Sequence, residues 1–278
     1  MSALRRAASF LLLPLLGGGL TCAERPSFRL VGHHPGPNEG PLRRNEAITL
    51  LFDREVDPSS VGPGSVRVER ADGTEASGRL EVEGRRVRFV PRPGRTGTWE
   101  DGGYGASDRV AVVLTGFPGR GVLSATGRLP LGTSVRRELP LAPLPEGRPS
   151  ARSFRDPVPG GPRLARPPEA GAGVFAVPAG AALALHFSEP LFPPIQEPVT
   201  LRFDDRDRTR VETSTELVQG ERDAVLLVRP ADGFREGTRY LLELRPEHLT
   251  DLVGSPFDGR GLPREYGVRV IPAAEGGS

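Results

Sequence analysis

The chain has 278 residues, room for one large domain or two of roughly 100 residues each, and an apolar fraction of 37% in recurrent Val/Leu/Phe alternation excludes a disordered polymer. There is no Lys, and the 37 Arg are balanced by 35 acids, most of them interleaved as in RLEVEGRRVRF. With no one-sign stripe to follow a phosphate backbone, a nucleic-acid partner is excluded.

In chain order, residues 1–21 have the three parts of a secretory signal. Arg5 and Arg6 supply the positive start, residues 7–16 an apolar run, and residues 17–21 a small or neutral end. The run is too short for a bilayer, which takes about 20 helical residues. Cys22 follows and is the only cysteine. A lone Cys directly behind such a run resembles the lipobox of bacterial lipoproteins, in which the thiol is acylated. Gly19-Leu20-Thr21 departs from the usual pattern, with Leu one place late and Thr where Gly or Ala is common. The resemblance implies an exported protein held to a membrane by a lipid on Cys22, in the periplasm or on the cell surface. The plain alternative is an ordinary signal cut near Ala23. One cysteine allows no disulfide within the chain, so core burial alone must hold the fold.

Period-two alternation then predicts short strands separated by turns. A first strand is expected over 26–31, with Phe28 and Leu30 facing in, followed by a turn-rich stretch over 33–40. His33 and His34 there do not read as a ligand pair, because neighbours on an extended chain point to opposite sides. Residues 48–52 form the next strand, with Ile48, Leu50 and Phe52 on one face. Strands follow over 65–68, a hairpin over 79–91 closed by Pro91, and further strands over 109–114 and 134–141. Between the hairpin and residue 109 lies a long loop with the only Trp. Trp99 and Tyr104 are candidate anchors there for a glycan or an envelope protein, the other reading being that Trp99 caps the sandwich end. Residues 143–169 are crowded with Pro, Gly and Arg and read as an extended, semi-stiff linker, with Phe154 and Leu164 as possible anchors.

The pattern then repeats. Leu183, Leu185 and Phe187 take the places of Ile48, Leu50 and Phe52, 135 positions later. Strands at 199–203, a hairpin of 217–218 and 224–228, strands at 238–244 and 266–271, and Pro230 in the place of Pro91 complete the second copy. The expected fold is all-β: two tandem antiparallel β-sandwiches over 26–142 and 170–272, with a short tail at 273–278.

Each copy resembles the bacterial Ig-like domain of S-layer proteins (the SbsA-like type) and of cell-envelope lipoproteins. The resemblance rests on ITLLFDREVDPSSV and VRFVPRPG in the first copy. In the second it rests on LALHFSEPLFPP, VLLVRPADGFREGTRYLLEL and LTDLVGSPFDG. The first copy lacks the Gly-Thr-x-Tyr lead-in of residues 237–240. What the resemblance implies is a modular envelope protein with no shared active site.

Chemistry is sparse. The four His are His33, His34, His186 and His248, none beside a nucleophile, and no metalloprotease, nucleophile-elbow or phosphate-loop motif occurs. The expectation is therefore a non-enzymatic structural or interaction module. One alternative is a carbohydrate-binding or adhesion module using the Trp99 loop, and another is an enzyme with a carboxylate site that no motif reveals. Asp204, Asp205 and Asp207 are candidate oxygen ligands for Ca²⁺, opposed by Arg206 and Arg208.

Overall fold

The computed structural model describes residues 28–165, 174–193 and 195–273, and the described residues are all-β, with two single-turn 3-10 segments and no α-helix. No helix among them is long and apolar enough to cross a membrane. The leader, Cys22 and the 273–278 tail after its first residue lie outside the described residues.

Alternation in sequence becomes alternation in burial. Strand β2 (Ile48–Phe52) and strand β9 (Leu183–Phe187) share one pattern: the first, third and fifth side chains are buried and the two between them half-buried. Around β2, one sheet has the order β1-β2-β5-β4, with β1 (Leu30–His34), β4 (Gly78–Glu83) and β5 (Arg86–Pro91). A second has the order β3-β6-β7, from β3 (Val66–Arg70), β6 (Arg109–Leu114) and β7 (Val135–Pro140). Their inner faces share one core, in which Phe28 stacks on Phe52 at 5.0 Å.

The C-terminal strands repeat this plan. The sheet β12-β13-β9 uses β12 (Thr213–Gln219) and β13 (Ala224–Pro230) in the roles of β4 and β5. Opposite it runs β11-β10-β14-β15-β8, with β10 (Val199–Phe203), β14 (Arg239–Leu244) and β15 (Glu265–Ile271) replacing β3, β6 and β7. Strands β8 (Val174–Pro178) and β11 (Arg210–Val211) complete the edges. A second core gathers Leu183, Leu185, Phe187, Leu226, Tyr240, Leu242 and Tyr266.

Three expectations need correction. Pairing is not antiparallel throughout: β8 runs parallel to β15, with Gly267 opposite Val174, and Leu42 makes a parallel bridge to Leu141. In both halves the leading segment first pairs antiparallel with one sheet, as β1 does on β2 and Leu164 on Phe187, and then crosses to lie parallel to the last strand of the other. This covers an edge of each sheet, a row of open backbone groups that would otherwise invite pairing with another chain. Second, His33 and His34 belong to β1 rather than to a loop, and His34 lies 2.7 Å from Glu39 and 3.1 Å from Glu46.

Third, the segment expected as an extended linker is docked on both halves as far as it is described. The Arg44 backbone N–H donates to the Ser153 carbonyl, and that of Ser150 to the Leu252 carbonyl, at 2.8 and 3.0 Å. Asn45 accepts from the Arg155 N–H at 2.9 Å and donates back to its carbonyl at 2.7 Å. Further on, Ala165 N–H reaches the His186 carbonyl and Asp258 N–H the Pro162 carbonyl. The segment's Pro, Gly and Arg content predicts an extended, semi-stiff chain, yet its backbone polar groups find partners on the two sandwich ends.

Candidate functional site

The junction is where the structure concentrates its unusual groups. Trp99, from the long loop before β6, packs against Phe154 of the junction segment with ring centroids 4.4 Å apart. Phe154 meets Phe192 edge-on at 6.2 Å, and Leu252 completes a buried cluster lined by Leu144 and Val253. One loop, one connecting segment and two turns of the C-terminal half thus share a small apolar core. Trp99 is held with φ of +60°, and Gly94 is needed beneath it, because a Cβ there would lie 2.8 Å from the indole.

Of the two readings of the Trp99 loop, the contact platform at Trp99 and Tyr104 is not at the surface: the two residues are 3% and 1% exposed, and Trp99 packs at the end of its sandwich instead. Tyr104 sits in the first core, 6.0 Å from Phe89, and its hydroxyl donates to the Glu46 carbonyl at 2.8 Å. Burial, with Glu46 nearby, holds that phenol well above its ordinary pKa. Asp204, Asp205 and Asp207 lie on an exposed turn after β10. The Asp205 carboxylate is occupied locally, accepting from the backbone N–H groups of Asp207 and Arg208 at 3.2 and 2.7 Å. That is how an Asp closes a turn, and the three acids do not converge on a common point.

The carboxylates that do converge are others. Asp156, Glu189 and Asp251 each bring an oxygen to within 4.8 Å of the other two. Asp156 comes from the junction segment, Glu189 from the turn two residues past β9, and Asp251 from the turn after the 3-10 segment Pro246–His248. Glu189 is 1% and Asp251 2% exposed, and Asp156 is half-buried. One Asp251 oxygen, Oδ1, accepts from the N–H groups of Val253, Gly254 and Ser255 at 2.9, 2.6 and 2.7 Å, which shapes the turn. Its other oxygen, Oδ2, and Glu189 Oε2 are fully enclosed, with no hydrogen-bond partner among the described residues. Burial, and then the charges of Asp251 and Asp156, push the Glu189 carboxyl up to about 7, against a smaller opposing pull from Arg163.

An enclosed carboxylate oxygen without a donor is costly. Such a group can hold a proton or face a cation. A substrate is a poorer match. The narrow cleft between the halves is lined by the neighbours Pro190 and Leu252, together with Arg44, Arg79, Trp99 and Glu221, but not by either buried acid.

The first copy has no counterpart. Its turns pair through the bridge Val56↔Ser124 where the second pairs through Leu191↔Asp251, so Ser124 stands in the place of Asp251 and Arg54 in the place of Glu189. Ser124 does the turn-closing work with its hydroxyl, which accepts from Leu129 N–H at 3.0 Å. The repeat needs a small polar acceptor there; the paired acids are an addition peculiar to the second copy. Sequence reading missed them because Glu189 and Asp251 are 62 residues apart and each looks like an ordinary turn residue.

No protein-family model matches the chain, and no curated protein matches it. Among solved structures, it is similar to the N-terminal part of the bacterial S-layer protein SbsC, at 10% identity over 88% of this chain and 44% of that one, with a TM-score of 0.30. The chain thus spans less than half of that structure. Native alpha-2-macroglobulin from Escherichia coli, spanning domains MG0-NIE-MG1, aligns at 10% identity over 88% of this chain and 72% of that one, TM-score 0.38. The titin Ig tandem A164-A165 aligns at 11% identity over 83% and 91%, TM-score 0.21. Likeness at this level carries no information on what this chain does.

Proposed function

We propose that the protein is a non-enzymatic module of the bacterial cell envelope: two Ig-like sandwiches, exported by residues 1–21 and tethered through Cys22, in a structural or protein- or glycan-binding role. The observation that carries the structural role is the docked junction, where Trp99, Phe154, Phe192 and Leu252 bury one another between the two halves; the export and tether rest on the sequence of residues 1–22. A mobile pair of domains suits a hinge; a pair fused through a shared apolar core suits a stiff spacer that holds its far loops at a fixed distance from an anchor. Burial of Glu189 and Asp251 also supports a non-catalytic role, since an acid or base must reach the atoms it serves. The ion pair of Arg88 with Glu221 at 2.6 Å, joined by Arg79 at 3.7 Å, spans the two halves beside the joint and adds to the same stiffness.

The test is fractionation of cells expressing the full chain and its Cys22→Ser variant. The parent protein is expected in the membrane fraction with a lipid-modified N-terminal peptide by mass spectrometry, and the variant in the soluble exported fraction. A parent protein recovered unmodified and soluble removes the tether. Turnover of an envelope glycan or peptide by the purified protein removes the non-enzymatic reading.

A further inference from the structure

We propose that Asp156, Glu189 and Asp251 hold a calcium ion that clamps the junction segment to the C-terminal sandwich. The argument is independent of the envelope role. It starts from geometry. Oxygens that ligate one Ca²⁺ lie 2.3–2.6 Å from it, so two of them are separated by at most about 5 Å. The three carboxylate oxygens here lie within 4.8 Å of one another, which falls inside that limit. Mg²⁺ demands near-octahedral geometry at about 2.0–2.1 Å and gives up its water reluctantly, so a set of three protein carboxylates suits it less well than Ca²⁺. The ligands are all hard oxygen donors with no His or Cys among them, which disfavours zinc and copper.

The second observation is independent of the clustering. Among the described residues, Glu189 Oε2 and Asp251 Oδ2 are enclosed and unpartnered, in side chains of residues that are 1% and 2% exposed. A turn needs neither oxygen: Asp251 does all its turn-closing through Oδ1, and the first copy closes the same turn with Ser124. Two desolvated, unpartnered oxygens on residues whose carboxylates converge with a third acid are what a cation site supplies and what a packed turn would avoid. Each ligand also comes from a different segment, so the ion would join the junction segment at Asp156 to two turns of the sandwich. Phe154 stands two residues before Asp156 and is in contact with Trp99, so occupancy of the site should be felt at the indole. The competing occupant is a proton shared between Glu189 and Asp251. The charged groups to be reckoned with in that case are these two, Asp156, and Arg163, whose guanidinium is 3.1 Å from Asp258.

The test uses the full exported chain, stripped with EGTA, at pH 8. Trp99 is the only tryptophan, so thermal melts and intrinsic fluorescence are followed together while CaCl₂ or MgCl₂ is added. At a hundredfold excess over Kd, Ca²⁺ is expected to raise the Tm by about 5–10 °C and to shift Trp99 emission, with a smaller response to Mg²⁺. Glu189→Gln, which keeps the shape and removes the charge, is expected to weaken Ca²⁺ binding at least tenfold. In EGTA the order reverses, and the variant melts no lower than the parent protein because a buried charge has been removed. Asp156→Asn, half-buried and outside both sandwich cores, carries the same test should Glu189→Gln fail to fold. No shift up to about 10 mM Ca²⁺, well above the range of extracellular modules, overturns the proposal in favour of the shared proton. A shift unchanged in both variants places the ion elsewhere, and an equal response to Mg²⁺ removes the assignment to calcium.

Discussion

At the scale of single residues, Glu189 makes the sharpest prediction. Its folded pKa of about 7 lies above its ordinary value of 4.5, so between those pH values the native state binds more protons than the unfolded chain. Stability is then present in full below about pH 4.5 and is lost as pH rises through 7, by on the order of 3 kcal/mol for an enclosed group without a cation. Urea melts in EGTA across this window should show that loss, and Glu189→Gln should abolish it. A parent protein equally stable at pH 5 and pH 8 would contradict it. Asp258 acts oppositely: hydrogen bonds from Arg260 hold its carboxyl well below the usual range, so its contribution is lost only in stronger acid. Gly161 gives a steric prediction. A Cβ at that position would fall 1.8 Å from the Pro256 carbonyl oxygen, so Gly161→Ala must push the junction segment off its seat. The expected result is a lower Tm and a red shift of Trp99 emission. The same change at Gly62, where a Cβ would meet nothing within 4 Å, should move neither by much.

At the scale of elements, β2 and β9 are equivalent: Phe52 and Phe187 are 0% and 1% exposed, each the last residue of its strand. Replacing either with Ala should cost about 3–5 kcal/mol in denaturant melts. The joint should behave like a third, smaller core. Trp99→Ala or Phe154→Ala is expected to cost about 3–5 kcal/mol as well, although neither side chain belongs to a strand. Glu221→Ala, which breaks the ion pairs with Arg88 and Arg79, should cost no more than about 1 kcal/mol, because these groups remain partly in water. The contrast decides which contact couples the halves.

At the scale of the whole molecule, the docked junction predicts cooperative unfolding. An extended spacer would let each sandwich melt alone; a shared apolar cluster makes the loss of one expose the other. Calorimetry of the parent chain should show one transition, and Trp99→Ala should split it into two. Two separate transitions in the parent chain would mean that the cluster contributes little coupling.

Much of this was legible in the residues. Period-two alternation determined the strands at 48–52 and 183–187, Pro91 and Pro230 marked the ends of the two hairpins, and together they made the repeat between the halves legible, because burial of alternate side chains is a local property of an extended chain. Strand β8 was missed because an edge strand pairs on one side only, and its buried residue, Val177, leaves too weak a pattern. For Trp99 the sequence left both an exposed anchor and a sandwich cap open, because its loop is rich in Gly and polar residues; what buries it is Phe154, 55 positions away, and Phe192, farther still. The acids were the least legible. Asp204, Asp205 and Asp207 stand together in sequence and read as a candidate ligand set, while Asp156, Glu189 and Asp251 stand apart, Asp251 reading only as the start of a turn. Neighbours on an exposed turn point outward into water, whereas the tertiary fold alone brings three distant turns to one point and removes the water from between them.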